Sequence, residues 1–401
     1  MEALTNWQIT GYIIAQFTPV WIGMVVIFAV SIYTKRSTGL YGKLFDSPIG
    51  MFGFALVLFW VLTAIMADWV MTHGALDQLS GMKNKVPGTP LPSPEEGQFQ
   101  WYLLGGDNLA RDVFSRMVAG SQIVLIIAPA ATLFAFMAGI TLGLPAGYFA
   151  GRADTVLSFS SNLILAFPVI LLFYLLVTPE IRSAGAEIPL WGDKTWITSI
   201  PNLMAAVLFL FPLIFLTVLW QSRFFTQPTK RNVLIGVTLA IGLWMYLGLA
   251  FNADPFNILY MDPNLLNIFV SVVFVNSPTV FRIVRGLALD IKTRDYVAAA
   301  QTRGEGPWYI MMWEILPNAR GPLIVDFCLR IGYTTILLGT LGFFGLGLSP
   351  ESPDWGSTIN EGRKLLSIYP HPALPPALAL MSLVLGLNLL ADALREQSLK
   401  D

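Results

Sequence analysis

The chain has 401 residues, 55% of them hydrophobic and 12% charged, and a formal net charge of −1. Soluble domains average about 25% charged residues, so a water-soluble globule is excluded, and a mean hydropathy of +0.64 places the chain in a membrane. The near-zero charge gives no field to recruit nucleic acid; the single cysteine, Cys328, gives no disulfide framework, and His73 and His371 lie too far apart in sequence for metal-ligand spacing.

In chain order, apolar windows near the ~20 residues needed to cross a bilayer fall at 11–33, 49–70, 121–147, 158–177, 201–220, 232–251, 265–281, 323–346 and 374–394. They predict an all-α polytopic membrane protein with about nine transmembrane helices. The first window has no basic leader and no small-residue cleavage site after it, so it reads as a span and not a signal peptide. With the N-terminus outside, most Lys and Arg fall in inside segments, as the positive-inside rule requires. The C-terminus and the basic stretch 282–320 are then cytoplasmic, and the long loop 71–120 is extracytoplasmic.

Within that basic stretch lies "DYVAAAQTRGEGPWYIMMWEILPNARGP" (295–322). Asp295 is placed to cap a short helix from Tyr296 to Arg303, Gly304 to stop it in the left-handed conformation, and Pro307 to start a second helix that Pro317 ends. A helix of about eight residues is below the ~12–15 that are marginal alone in water, so packing must hold it. Ala298, Ala299 and Ala300 leave its backbone open to close approach. A short, smooth helix in the cytoplasm reads either as a docking element or as an interfacial loop with no partner.

"AAQTRG", with "LP" ending thirteen residues after the glycine, resembles the EAA loop of ABC-importer permeases. The resemblance implies a coupling loop that docks an ATPase subunit through Asp295, Tyr296, Ala299, Ala300, Arg303, Gly304, Leu316 and Pro317. Ala298 stands where the family pattern has an acid. "LGGDNLARDVFSRMVAGSQIVL" (104–125), "AGYFAGRAD" (146–154), "AFP" (166–168) and "LGFFGLGLSPESPDWGSTINEGR" (341–363) resemble, in order, segments of the oligopeptide/dipeptide branch. Gly106, Ala110 and Gln122 replace that branch's usual Thr, Gly and Arg. In such importers a binding protein docks on the outer loops, which implies that surface for Arg111, Asp112, Arg116, Trp355, Glu361 and Arg363. Asp112 and Arg116 equally fit an exposed helical ion pair.

The resemblance divides the chain into an extra N-terminal helix with its cytoplasmic link (1–48), a first part of the permease core (49–177, with loop 71–120), an inserted two-helix hairpin (178–264), and a second part of the core (265–401, with coupling loop 286–320). Extra helices of this kind read most simply as peripheral packing. The prolines and glycines of the core spans, among them Pro168, Pro278, Gly139 and Gly143, either soften helices or shape their packing.

No G-x-x-x-x-G-K-[ST] occurs; "GLYGKLF" (39–45) has the wrong spacing. The chain is therefore expected to be no enzyme and to bind no cofactor or metal, with ATP and Mg on partner subunits. The expected function is the permease of a bacterial inner-membrane ABC importer, moving peptides or a related solute by alternating access. The expected partners are a second, homologous permease, two ATPase subunits, an extracytoplasmic binding protein and lipid, with no nucleic acid. Peptides, nickel complexes, opines, glutathione and sugars all remain open as substrates. An ion-coupled carrier, which the scarcity of ionisable residues within spans disfavours, and a structural subunit are the alternatives.

Overall fold

The computed structural model describes residues 2–37, 39–177, 187–189, 195–197, 200–254, 256, 258–259, 261–346, 348 and 351–398. Its main helices are Asn6–Gln16 (α1), Thr18–Thr34 (α2), Pro48–Ile65 (α3), Val113–Phe149 (α4), Arg152–Ala166 (α5), Val169–Val177 (α6), Ile200–Leu208 (α7), Leu210–Arg223 (α8), Pro228–Phe251 (α9), Pro263–Ile291 (α10), Asp295–Thr302 (α11), Arg320–Phe343 (α12), Trp355–Arg363 (α13) and Leu374–Ser398 (α14). Two small antiparallel pairs, Thr89–Pro90 with Trp101–Tyr102 and Glu187–Pro189 with Thr195–Ile197, are the strands among the described residues.

Seven helices among the described residues are long and apolar enough to cross a membrane, or up to nine if each of two bent pairs is one span. The bends fall where proline breaks the ladder. Between α1 and α2 the chain turns by 53°; Pro19 cannot donate to the Ala15 carbonyl, and Thr18 Oγ1 does so instead at 2.6 Å. Between α5 and α6 it turns by 89° at Phe167–Pro168, so the window 158–177 is not one straight rod. The 37-residue α4 is about 55 Å long by its helical rise, well beyond a ~30 Å hydrocarbon layer, and it takes in the last residues of the predicted 71–120 loop.

Packing divides the chain into two units, Met1–Pro129 with Cys328–Asp401, and Ala130–Phe327. In the first, Phe17 and Val20 of the N-terminal helices lie buried with Leu58 and Leu62 of α3 and Phe114 and Val118 of α4. The extra N-terminal helix is thus part of this unit's core. A second cluster joins Trp60, Val124, Trp355, Leu383 and Leu387.

In the second unit the core runs through Phe136 and Leu144 of α4, Val280, Val284 and Ala288 of α10, Val297 and Ala300 of α11, and Ile310, Met311 and Ile315. Gly139, Gly143 and Gly147 form one stripe on α4 where α10 comes close. A Cβ on Gly139 would lie 2.5 Å from Val280 Cγ1, and one on Gly147 2.7 Å from the Arg285 carbonyl. These glycines serve close helix packing. Parts of the 178–264 segment (178–186, 190–194, 198–199, 255, 257 and 260) lie outside the described residues.

Candidate functional site

The segment 295–322 folds as a helix, a glycine stop and a second helical stretch. Arg294 is the N-cap of α11 and Asp295 its first residue, with no side-chain cap bond; the predicted Asp295 cap is one residue late, and Asp295 favours the helix start through the dipole instead. The stop is a Schellman motif: Gly304 N–H donates to Gln301 O (2.9 Å) and Glu305 N–H to Ala300 O (3.2 Å). Gly304 has φ +82°, and a Cβ there would meet nothing within 4 Å. Backbone conformation alone makes the position glycine.

Pro317 does not end the second helix. A π-helical turn, Ile310–Ile315, precedes it, widening the ladder where the proline ring would otherwise meet the carbonyl four residues back. After Pro317 the chain passes with one turn residue into α12, and Asn318 Nδ2 donates to Glu314 O at 2.6 Å. Arg303 pairs with Glu314 at 3.0 Å across the glycine stop.

Burial sorts the predicted coupling residues into two faces. Val297 and Ala300 are fully buried, so Ala300 anchors the helix. Asp295, Tyr296, Ala298, Ala299, Arg303, Gly304 and Pro317 are exposed, and Leu316 is half-buried. The solvent face of α11 is therefore small and smooth, with Tyr296 and, beyond the stop, Trp308 as exposed aromatics.

Several braces were not singled out from sequence. Lys292 Nζ donates to the Gly147 carbonyl at 2.9 Å, near the C-terminal end of α4, where helix carbonyls lack partners. Gln301 Nε2 reaches Tyr148 Oη at 3.3 Å. Arg285 of α10 grips Asp154 of α5 with both Nε and Nη2, the latter at 2.7 Å from Oδ2. The one available signal was Asp154 within "AGYFAGRAD"; its partner 131 residues away left none.

The loop residues of the first unit turn inward. Arg111 and Arg116 are 1% and 0% exposed. Arg111 Nε donates to Asp107 Oδ2 at 2.7 Å and its Nη2 to Glu361. Arg116 Nη2 lies 3.5 Å from Glu361 Oε2, 3.1 Å from Ser352 O and 3.2 Å from Thr358 Oγ1. Trp355, fully buried, donates its indole N–H to Met117 O at 2.8 Å and meets Trp60 edge-on. Asp354 caps α13 at Ser357 N, and burial raises its pKa. Asp112 is buried and accepts from Thr72 Oγ1 (2.8 Å) and Ser115 Oγ (2.7 Å).

The exposed Asp112–Arg116 pair expected from spacing is therefore absent, because each side chain has buried partners of its own. Direct electrostatic docking through Arg111, Asp112 or Arg116 is closed to them in this fold. These charges join 104–116 to 351–363. Arg363 alone of the six is exposed, stacked on Phe343 at 4.7 Å. One substitution in the motif also finds its reason here: a Cβ on Gly106 would lie 2.0 Å from Met82 O. Ala110 adopts φ +64°, which favours the glycine usual in the branch, and nothing in the structure explains the alanine.

His371 packs on the same loop, its Nε2 3.2 Å from Gly106 O. Burial lowers its pKa below the ordinary 6.5, against the pull of the Gly106 and Lys85 carbonyls. The unfolded chain thus takes up this proton more readily than the folded one. The stability His371 contributes is complete above pH 6.5 and is lost as pH falls through the folded pKa. The thermal midpoint is expected to drop on acidification from about pH 7 to about pH 5, and less steeply in His371→Gln; equal slopes would contradict the assignment.

The chain matches the family model described as "Binding-protein-dependent transport system inner membrane component" over residues 139–398. It is 29% identical over 301 residues to the glutathione transport system permease protein GsiD of Pectobacterium atrosepticum, covering 75% of this chain and 73% of that one. It is 25% identical over 346 residues to the dipeptide transport system permease protein DppC of Haemophilus influenzae (86% and 88% covered). It is also 25% identical over 351 residues to the probable D,D-dipeptide transport system permease protein DdpC of Escherichia coli (87% of each).

Proposed function

The chain belongs to the binding-protein-dependent transport system inner membrane components, the permeases of ABC importers, and from that premise we propose that it moves peptides or a related small solute into the cytoplasm by ATP-driven alternating access. Multi-pass residence in the inner membrane and partnership with an ATPase and a substrate-binding protein follow from the family. Pairing with a second, different permease chain, ATP and Mg on two ATPase subunits, and an outside N-terminus with a cytoplasmic C-terminus belong to the proposal.

The observation that carries it is the two-faced helix α11. Val297 and Ala300 bury one face among α10 and the π-turn, while Ala298, Ala299 and Tyr296 present the other. A partner seated on that face would push on α10 and α4 through the buried contacts and through Lys292, so nucleotide-driven closure would move these helices as fairly rigid bodies. Peptide as the solute class is supported by the dipeptide and glutathione systems named for the relatives. Docking of the binding protein is assigned to the surface that the Arg111–Asp107–Glu361–Arg116 cluster holds in shape, with Arg363 as its exposed charge.

The test is uptake of a labelled dipeptide by proteoliposomes holding the purified complex and its binding protein. ATP inside the vesicle partner-side compartment is expected to drive uptake, and a proton or sodium gradient without ATP to give none. Gradient-driven uptake without the ATPase would overturn the proposal.

A further inference from the structure

The segment 178–264 lies outside the motif-bearing stretches, yet its helix α8 reaches the coupling segment. At the C-terminal end of α8, Ser222 Oγ accepts the indole N–H of Trp313 at 3.1 Å. The Ser222 hydroxyl proton is already given to Leu219 O at 3.0 Å, leaving its lone pairs for Trp313. The Arg223 guanidinium lies 4.6 Å over the Trp313 ring, a cation–π geometry. Trp313 sits inside the π-turn of the coupling segment, and Phe215, Val218 and Leu219 pack against the cluster that holds Ile310, Met311 and Ile315. A cavity of about 40 Å³ lies between α8, α4 and that turn.

The other end of the rod is pinned by aromatic rings. Phe209, just before α8, meets Phe134 of α4 at 5.1 Å and Phe269 of α10 at 5.8 Å, both edge-to-face. Beside that end lie two apolar cavities. One of about 470 Å³ is lined by Leu208, Phe211 and Pro278, and one of about 370 Å³ by Phe209, Leu213 and Ile241. A helix of 14 residues, about 21 Å long, thus has firm contacts at both ends, with α9 packed along one side through Leu213 against Gly242 and the Trp220 indole N–H on Thr238 at 3.1 Å. A rod held this way passes displacement from end to end.

We infer that α8 is a strut linking the coupling segment to the far part of α10 and to α4, with Trp313 as the positioning residue at the driven end. The inference rests on the reading of 295–322 as the ATPase-docking element. When the coupling segment shifts, the Trp313–Ser222–Arg223 contact carries α8 with it, and Phe209 moves against Phe134 and Phe269. The hairpin then adds a second mechanical route beside the covalent one through α10. Peripheral packing alone would need neither the polar clasp at one end nor the aromatic pin at the other.

The test uses the whole complex in proteoliposomes and reads dipeptide moved per ATP hydrolysed, with ATPase co-purification as the control for assembly. Trp313→Leu is expected to keep its ATPase partner and its hydrolysis while the transport-to-hydrolysis ratio falls about 5-fold or more. Trp313→Phe keeps a ring under Arg223 without the N–H and is expected to recover part of the loss. Phe209→Leu, at the opposite end, should reproduce the loss without touching the coupling segment. Wild-type ratios in both Trp313→Leu and Phe209→Leu would overturn the strut, as would transport and hydrolysis falling in proportion, which is the mark of a purely structural role. Absence of an ATPase from the wild-type complex would instead overturn the reading on which the strut rests, and the strut with it.

Discussion

Arg111→Ala is expected to destabilise the protein by about 3–5 kcal/mol, because it takes the paired cation away from the buried Asp107 and the partly buried Glu361. The Arg111 side chain is 1% exposed and bridges Asp107, 3% exposed, to Glu361, 19% exposed. With the guanidinium gone, Asp107 keeps the backbone N–H groups of Leu109 and Arg111, but Glu361 falls back on Arg116 at 3.5 Å. Arg111→Lys retains the charge and loses the planar fork, so an intermediate loss is expected. Unfolding of the detergent-solubilised chain, followed by temperature or denaturant, measures both. Arg111→Ala within about 0.5 kcal/mol of wild type, the range of ordinary surface changes, would show that the cluster does not hold the two loops.

Gly304→Val is expected to abolish transport while leaving the membrane helices assembled. At φ +82° an L-residue pays roughly 1–2 kcal/mol, and a β-branched one is a strong outlier. That strain falls on a Schellman stop whose two hydrogen bonds end an eight-residue helix, too short to persist without its cap and its packing. Gly304→Asn is the discriminating control, since Asn tolerates the left-handed region and a Cβ meets no neighbour there. ATP-driven uptake lost in Gly304→Val and largely kept in Gly304→Asn would tie function to backbone geometry. Equal uptake in both would remove Gly304 from the mechanism.

Local rules made part of this legible. The apolar windows located the spans because every spanning helix must satisfy its own backbone in lipid, and Gly304 was readable because a left-handed stop is a property of one residue. Pro317 misled: a proline marks a fault in the ladder, but the π-turn that absorbs the fault depends on the tertiary fit of Ile310, Met311 and Ile315. Pro19 and Pro168 stand at bends of 53° and 89°, so a proline in the sequence marks the break without giving its angle. Arg111, Asp112 and Arg116 were read as surface charges because sequence spacing carries no burial. Their partners Glu361 and Thr72 stand 250 and 40 residues away. The contact of Trp313 with Ser222 spans 91 residues and left no periodic trace in either helix.

The most direct test of the coupling reading is affinity purification of the chain from its native membrane in mild detergent, wild type beside Gly304→Val, with every co-purifying protein identified. The account predicts an ATPase and a second permease with wild type, and selective loss of the ATPase in the variant while the permease pair remains. Recovery of the wild-type chain without an ATPase, or an ATPase bound equally by both forms, would contradict it.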